Sequence, residues 1–92
     1  MMGLQSGSAE LVGRRVAEVD ASGDFVFDAA AVAPLLGLAP GPFMEELRKG
    51  AVYQVHERGT EEDSGKTRVT FRYRTRQSVL TVDAAGRALD VA

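Results

Sequence analysis

D-F-V-F-D-A-A-A-V-A-P-L-L-G-L-A-P-G-P-F-M-E-E-L-R-K-G, residues Asp24–Gly50, encodes a short strand, two short helices and the stops of both helices. Asp28 can cap the first helix by accepting from the free amides of Ala30 or Ala31, and Val32, Leu35 and Leu36 then form an apolar stripe at i, i+3 and i+4. Pro34 deletes a helical hydrogen bond, at a cost of about 3 kcal/mol in a regular interior, so this helix either begins near Ala31 or is kinked. Gly37 supplies a left-handed stop. Pro40 and Pro42 pre-set the turn and the first positions of a second helix, expected over Pro42–Lys49 with Phe43, Met44 and Leu47 inward. Arg48 and Lys49 suit the negative end of its dipole, and Gly50 ends it. Helices this short need a sheet to pack against.

The flanks supply that sheet. Val16 to Phe27 reads as two short strands around Asp20-Ala21-Ser22-Gly23, because Asp favours the first turn position and Gly accepts positive φ at the end. Val82-Asp83-Ala84-Ala85-Gly86 repeats the V-D-A-x-G chemistry, which predicts a second tight hairpin between a strand ending near Asp83 and one over Arg87–Val91. The shared pattern is turn grammar; it is too short to mark a duplication. In between, Tyr53, Val55 and Glu57 alternate with Gln54, His56 and Arg58. Val69, Phe71 and Tyr73 alternate with Arg68, Thr70, Arg72 and Arg74, and the polar stretch Gly59–Lys66 joins the two runs. A further strand is expected near Ser78–Val82. The fold class is therefore α+β: an antiparallel meander sheet, with an N-terminal hairpin plus three or four C-terminal strands, and two short helices packed on one face. Tyr53, Phe71 and Tyr73 are expected beneath the helices, with the arginines outward.

Four of these stretches, D-F-V-F-D at Asp24–Asp28, L-L-G-L at Leu35–Leu38, F-M-E-E-L-R-K-G at Phe43–Gly50 and T-F-R-Y at Thr70–Tyr73, carry a likeness as well. The chain resembles a set of short proteobacterial proteins grouped as a domain of unknown function, over roughly Asp24 to Asp83. These motifs are mostly structural glycines and apolar positions, so the resemblance implies kinship and no catalytic residue.

Size and composition bound the rest. Ninety-two residues make one domain, expected over 11–92 behind a flexible Gly/Ser-containing tail at 1–10. Hydrophobic content of 45% with 26% charged residues is that of a folded globular chain, not a disordered one. Eleven basic and thirteen acidic side chains leave a net charge of -2, which excludes a surface that is basic throughout and leaves room only for a local basic patch. Without cysteine there are no disulfides and no thiolate metal sites. Met1–Ser8 has neither a basic start nor an apolar run, so no signal, anchor or membrane association is expected, and the cytoplasm is the expected compartment.

The densest functional signal is the basic strand, where Lys66, Arg68, Arg72, Arg74 and Arg76 fall close together and Arg68, Arg72 and Arg74 share one parity. Arginine forks on a sheet can grip phosphate or carboxylate, and exposed rings beside them could stack bases. Set against this is a solvated charged face balanced by Glu57, Glu61, Glu62 and Asp63, the reading preferred here. Ala33, Gly37, Leu38 and Phe43 also resemble the structural positions of an excisionase-like winged helix-turn-helix. Its groove-facing residues would be Ala39, Pro40, Gly41, Met44 and Glu45, which offer no bidentate base contact.

His56 is the only side chain whose intrinsic pKa lies near neutrality, and Glu57 beside it on a strand points to the other face. Glu45 and Glu46 diverge by about 100 degrees on a helix and cannot share a proton. Glu61-Glu62-Asp63 lacks the spacing of a calcium loop and reads as a hairpin tip. No catalytic, cofactor or metal site is therefore expected. The expected function is a non-enzymatic, homodimeric interaction module that uses a sheet edge or the outer side of the helices. Its motive is the apolar bulk of Phe25, Phe27, Val32, Leu35, Leu36, Leu38, Phe43, Met44 and Leu47. The alternative is binding of nucleic acid or an acidic protein through Arg68, Arg72 and Arg74, joined by Arg58 and His56.

Overall fold

Asp20 and Asp83 build the same turn. In each, Oδ1 accepts from the backbone N–H two residues on, Ser22 or Ala85, at 2.9 Å. It accepts again from the N–H four residues on, Asp24 at 3.0 Å or Arg87 at 2.9 Å. Gly23 and Gly86 then donate back to the aspartate carbonyl at 3.0 Å, with φ of +85° and +87°. This is the hairpin loop built from a type I turn followed by a left-handed residue. The computed structural model describes residues 11–92, Asp63 by its backbone alone. The first turn joins β1 (Ala17–Val19) to β2 (Phe25–Phe27), and the second joins β5 (Arg76–Asp83) to β6 (Ala88–Val91). The flexible tail expected at residues 1–10 lies outside the described residues.

Between the hairpins the helical segment resolves the problem of Pro34 by changing its winding. Helix α1 (Ala29–Val32) starts at Asp28, whose Oδ1 accepts from Ala30 N–H at 3.0 Å. The chain then tightens into a 3-10 turn over Ala33–Leu36, with Pro34 in its first turn, where the missing N–H is not needed. Val32, Ala33 and Leu36 are buried, Leu35 is half-buried, and Gly37 closes the turn at φ +73°. Helix α2 runs Pro40–Lys49, two residues longer at its start than expected, because Pro40 itself takes the first helical position. Phe43 and Leu47, four apart, face the core. Met44, expected inward, sits about 100 degrees round the helix and is 48% exposed.

The second half forms the meander. Strands β3 (Val52–Arg58), β4 (Lys66–Tyr73), β5 and β6 pair antiparallel in that order, while β1 and β2 make a separate two-stranded sheet. The hairpin docks through Val16 N–H and Ala17 N–H to the Gly86 carbonyl, at 2.8 and 3.2 Å, and Asp28 N–H to the Val16 carbonyl at 2.8 Å extends its own ladder. A Cβ on Gly86 would collide with the Ala17 carbonyl oxygen. Phe71 joins the layers, with Phe27 edge-on at 5.2 Å between centroids and Phe43 at 6.4 Å. Val69, Leu80, Val82, Val32, Leu36 and Val16 complete the core around it. Arg76 Nη1 donates to the Leu36 carbonyl at 2.8 Å and tucks against Gly37, which ties β5 to the end of the 3-10 turn. Among the described residues no helix is long and apolar enough to cross a membrane.

These two turns generate a matched pair of expectations. Gly23 and Gly86 share their backbone conformation, but a Cβ at Gly23 meets open space. Urea denaturation is expected to find Gly23→Ala destabilised by about 1 kcal/mol and Gly86→Ala by more than about 3 kcal/mol. The Arg87 N–H bond holds the Asp83 carboxyl below its ordinary value of 3.8, with desolvation opposing it and the Ala85 and Gly86 amides and the Arg87 charge assisting. A lowered folded pKa contributes stability that is complete above the unfolded value and is lost as pH falls through the folded one. Asp83→Asn is therefore expected to be less stable than the parent at about pH 6, with the gap closing towards about pH 2, as read by denaturation across that range.

Candidate interaction surface

Register decides which side chains share a face. Val52 lies opposite Tyr73, Gln54 opposite Phe71 and His56 opposite Val69. Directly paired residues project to the same side of a sheet, so the even-numbered residues of β3 turn to the helix side. Tyr53, Val55 and Glu57 share the outer face with Arg72, Thr70 and Arg68. This corrects the expected placement of Tyr53. Phe71 is 1% exposed and Tyr73 half-buried on the helix side, whereas Tyr53 is 47% exposed on the other. The reason is local: Gly50 ends α2, Ala51 alone links it to β3, and Val52 is buried, which sets the phase of the whole strand.

Among the described residues the outer face is therefore a patch with an apolar centre and a charged rim that no helix covers. Val55, Thr70 and Val79 form one row across β3, β4 and β5, and Tyr53, Arg72 and Gln77 form the next. The Arg72 guanidinium lies 5.9 Å over the Tyr53 ring. Arg68 Nε donates to Glu57 Oε1 at 3.0 Å, an exposed pair of small energetic weight.

The edge of this sheet is open as well. Gly59 N–H donates to the Lys66 carbonyl at 2.9 Å. Bonded pairs alternate along an antiparallel ladder, so Glu57, Val55 and Tyr53 bond to β4, while Val52, Gln54, His56 and Arg58 direct N–H and C=O away from it. No described residue pairs with those outward groups. At the opposite edge the chain covers only the first residue of β6, with Gly13 N–H on the Ala88 carbonyl at 2.7 Å and Ala88 N–H on the Arg14 carbonyl at 2.9 Å. The open edge was not singled out from sequence: β3 lacks Gly, Pro and Lys, as the central strand β5 does, so composition does not set it apart as an edge.

The chain belongs to the family of unknown function DUF6522. The family's model matches residues 15–92, which reaches from β1 to β6 and so extends beyond the Asp24–Asp83 span on which the motifs carried the resemblance. No match was found among curated proteins or among solved structures.

Of the residues singled out from sequence, Arg58 and Arg68 line one groove of this DUF6522 chain, and Arg72, Arg74 and His56 are not among its lining. Arg74, expected on the strand beside Arg68 and Arg72, sits in a two-residue turn at φ +60°, because Tyr73 pairs with Arg76 and closes the chain there. Its guanidinium lies 5.1 Å over Tyr73. His56 and Arg58 have the helix-side parity, opposite to Arg68 and Arg72. His56 Nε2 is 3.0 Å from Gln54 Oε1, with its ring edge-on to Phe27 at 6.1 Å. That groove, of about 440 Å³, is lined by Arg58, Lys66 and Arg68 together with Glu57 and Asp90, so its charges are of both signs. On α2, Glu45 pairs with Arg48 at 3.2 Å and Glu46 with Lys49 at 3.3 Å. Among the described residues, no group of three or more His, Cys, Asp or Glu is placed to hold a metal ion.

The phase of β3 is open to a direct check. At fixed chain concentration, Phe71→Ala is expected to cost about 3–5 kcal/mol of unfolding free energy and Tyr53→Ser under about 1 kcal/mol. Equal losses would place Tyr53 in the core after all.

Proposed function

We propose that this DUF6522 protein is a small, non-enzymatic interaction module of the cytoplasm that works as a homodimer. One observation carries the reading: among the described residues the helices pack on one side of the four-stranded sheet, and its other face presents Tyr53 and Val55 beside an open strand edge. The apolar bulk of the helical segment is not the motive, since Phe25, Phe27, Leu35, Leu38 and Leu47 pack against the core and only Met44 among the larger side chains there is open. The motive moves to the sheet. A chain of this size has a small core and gains burial from a second copy. His56 Nε2 is 3.0 Å from Gln54 Oε1 and its ring lies edge-on to Phe27, contacts that suit a side chain held at a surface.

A second reading rests on Arg72 over Tyr53, since a cation and an exposed ring on an open sheet face suit a base or a phosphate. It ranks second because Arg68 is already held by Glu57, the groove that Arg58 and Arg68 share also carries Glu57 and Asp90, and Arg74 sits in a turn. Native mass spectrometry at micromolar concentration is expected to find a dimer of the 9.8 kDa chain that persists as salt is raised. A monomer throughout would overturn the first reading. Polyanion binding that falls steeply with salt and is abolished by Arg72→Glu would establish the second.

A further inference from the structure

Strand β3 is complementary to itself. We infer that two copies of this chain join their sheets through antiparallel pairing of their β3 edges, with the two-fold axis at Val55, to make one continuous eight-stranded sheet. The inference rests on the homodimer reading and adds its interface.

The register follows from three constraints. Antiparallel pairing needs outward-turned residues opposite outward-turned residues, and on β3 these are Val52, Gln54, His56 and Arg58. A two-fold axis at Val55 places Gln54 opposite the partner's His56 and Val52 opposite the partner's Arg58, so every outward backbone group finds a mate. Val55 is also the midpoint of the strand Val52–Arg58, so this register alone pairs its whole length. Sliding the copies either way leaves strand ends unpaired.

Side-chain chemistry selects the same arrangement. On the outer face Val55 meets its own copy, and Tyr53 stands opposite the partner's Glu57. That carboxylate thus comes to the ring already carrying Arg72, while its own Arg68 remains on its far side. On the helix side, Gln54 and His56, 3.0 Å apart within one chain, stand opposite the partner's His56 and Gln54, which form the same amide–imidazole pairing across the seam. No like charges face each other. A slide of two residues towards the strand's C-terminus brings His56 against His56, and a slide of four brings Glu57 against Glu57, which is destabilising. β3 also has no proline, no lysine and no bulge, and its charges, Glu57 and Arg58, sit at one end. Edge addition of this kind draws its affinity from main-chain bonds and its specificity from alternate side chains.

The chain contains no cysteine, so a single introduced thiol reports on the seam without interference. A non-bonded antiparallel pair brings its Cα atoms to about 4.5 Å, inside the disulfide range of about 4.4–6.8 Å. Val55→Cys is expected to give a covalent dimer with mild thiol oxidant, on a non-reducing gel. Val26→Cys, at a position 57% exposed on β2, is expected to stay monomeric on that gel. Gln54→Pro removes an N–H that no described residue of the same chain accepts. It is expected to weaken the dimer by at least about 100-fold in Kd while circular dichroism of the monomer is unchanged, as proline is tolerated on an edge strand facing outward. A dimer in native mass spectrometry that neither cross-links at Val55→Cys nor dissociates with Gln54→Pro would overturn the edge-to-edge arrangement and leave self-association standing. A parent chain that stays monomeric would overturn both.

Discussion

Val52 under α2 is the constraint on which the functional surface depends. A strand cannot compromise between faces: a slip of one residue moves every side chain to the other side and every backbone group to the other edge. Gly50 stops the helix at φ +84° and leaves Ala51 as the whole connection, so the first residue of β3 goes beneath the helix it has just left. From that placement it follows that Tyr53, Val55 and Glu57 face away from the core, and that Val52, Gln54, His56 and Arg58 offer their main chain at the edge. One buried valine thus determines both what the sheet shows and what it can bond.

Legibility in the sequence tracks how local each cause is. Asp28, Gly37 and Gly50 announce helix ends through contacts within four residues, and Asp20 and Asp83 announce hairpins in the same way. All were readable. V-Y-Q-V-H-E-R over Val52–Arg58 does not alternate cleanly, so its phase is set from outside the strand, by the helix before it. The turn at Arg74 was invisible because it contains none of the residues that favour positive φ; pairing of Tyr73 with Arg76 imposes that conformation on an arginine. Pro34 marked a disturbance correctly. Its resolution into a 3-10 turn needs the sheet, since the tighter winding is what buries Ala33 and Leu36 together.

Charge density along the chain does not become charge density in space. Lys66 to Arg76 looks like a single basic feature in one dimension, yet pairing distributes its members among separate tasks. Arg76 supplies the hydrogen bond that the end of the 3-10 turn needs at Leu36, Arg68 bonds to Glu57, Arg72 covers Tyr53 and Arg74 caps the sheet end over Tyr73. The rows of the outer face carry acids as well, for Arg68 lies between Glu57 and Thr81 with Asp90 beyond, and Lys66 is opposite Asp83. Neutralisation within rows explains why a locally basic segment belongs to a domain with a charge of -2 and no wholly basic surface.

The two edges of the sheet are treated differently, and that contrast carries information a symmetric arrangement would not. Val12 bridges Ala88 and Arg15 bridges Arg87, so part of the chain covers the start of β6, and no described residue pairs with the outer side of its remaining residues. A free ladder edge is a template for any strand it meets, and sheets that remain single ordinarily blunt it with charge, proline or a bulge. β3 has charge only at its far end, where Glu57 and Arg58 stand, and its middle is Gln54, Val55 and His56. In the proposed dimer that charged end meets its own apolar start through the two-fold, and Tyr53 and Val55, 47% and 45% exposed on one chain, come within and beside the seam.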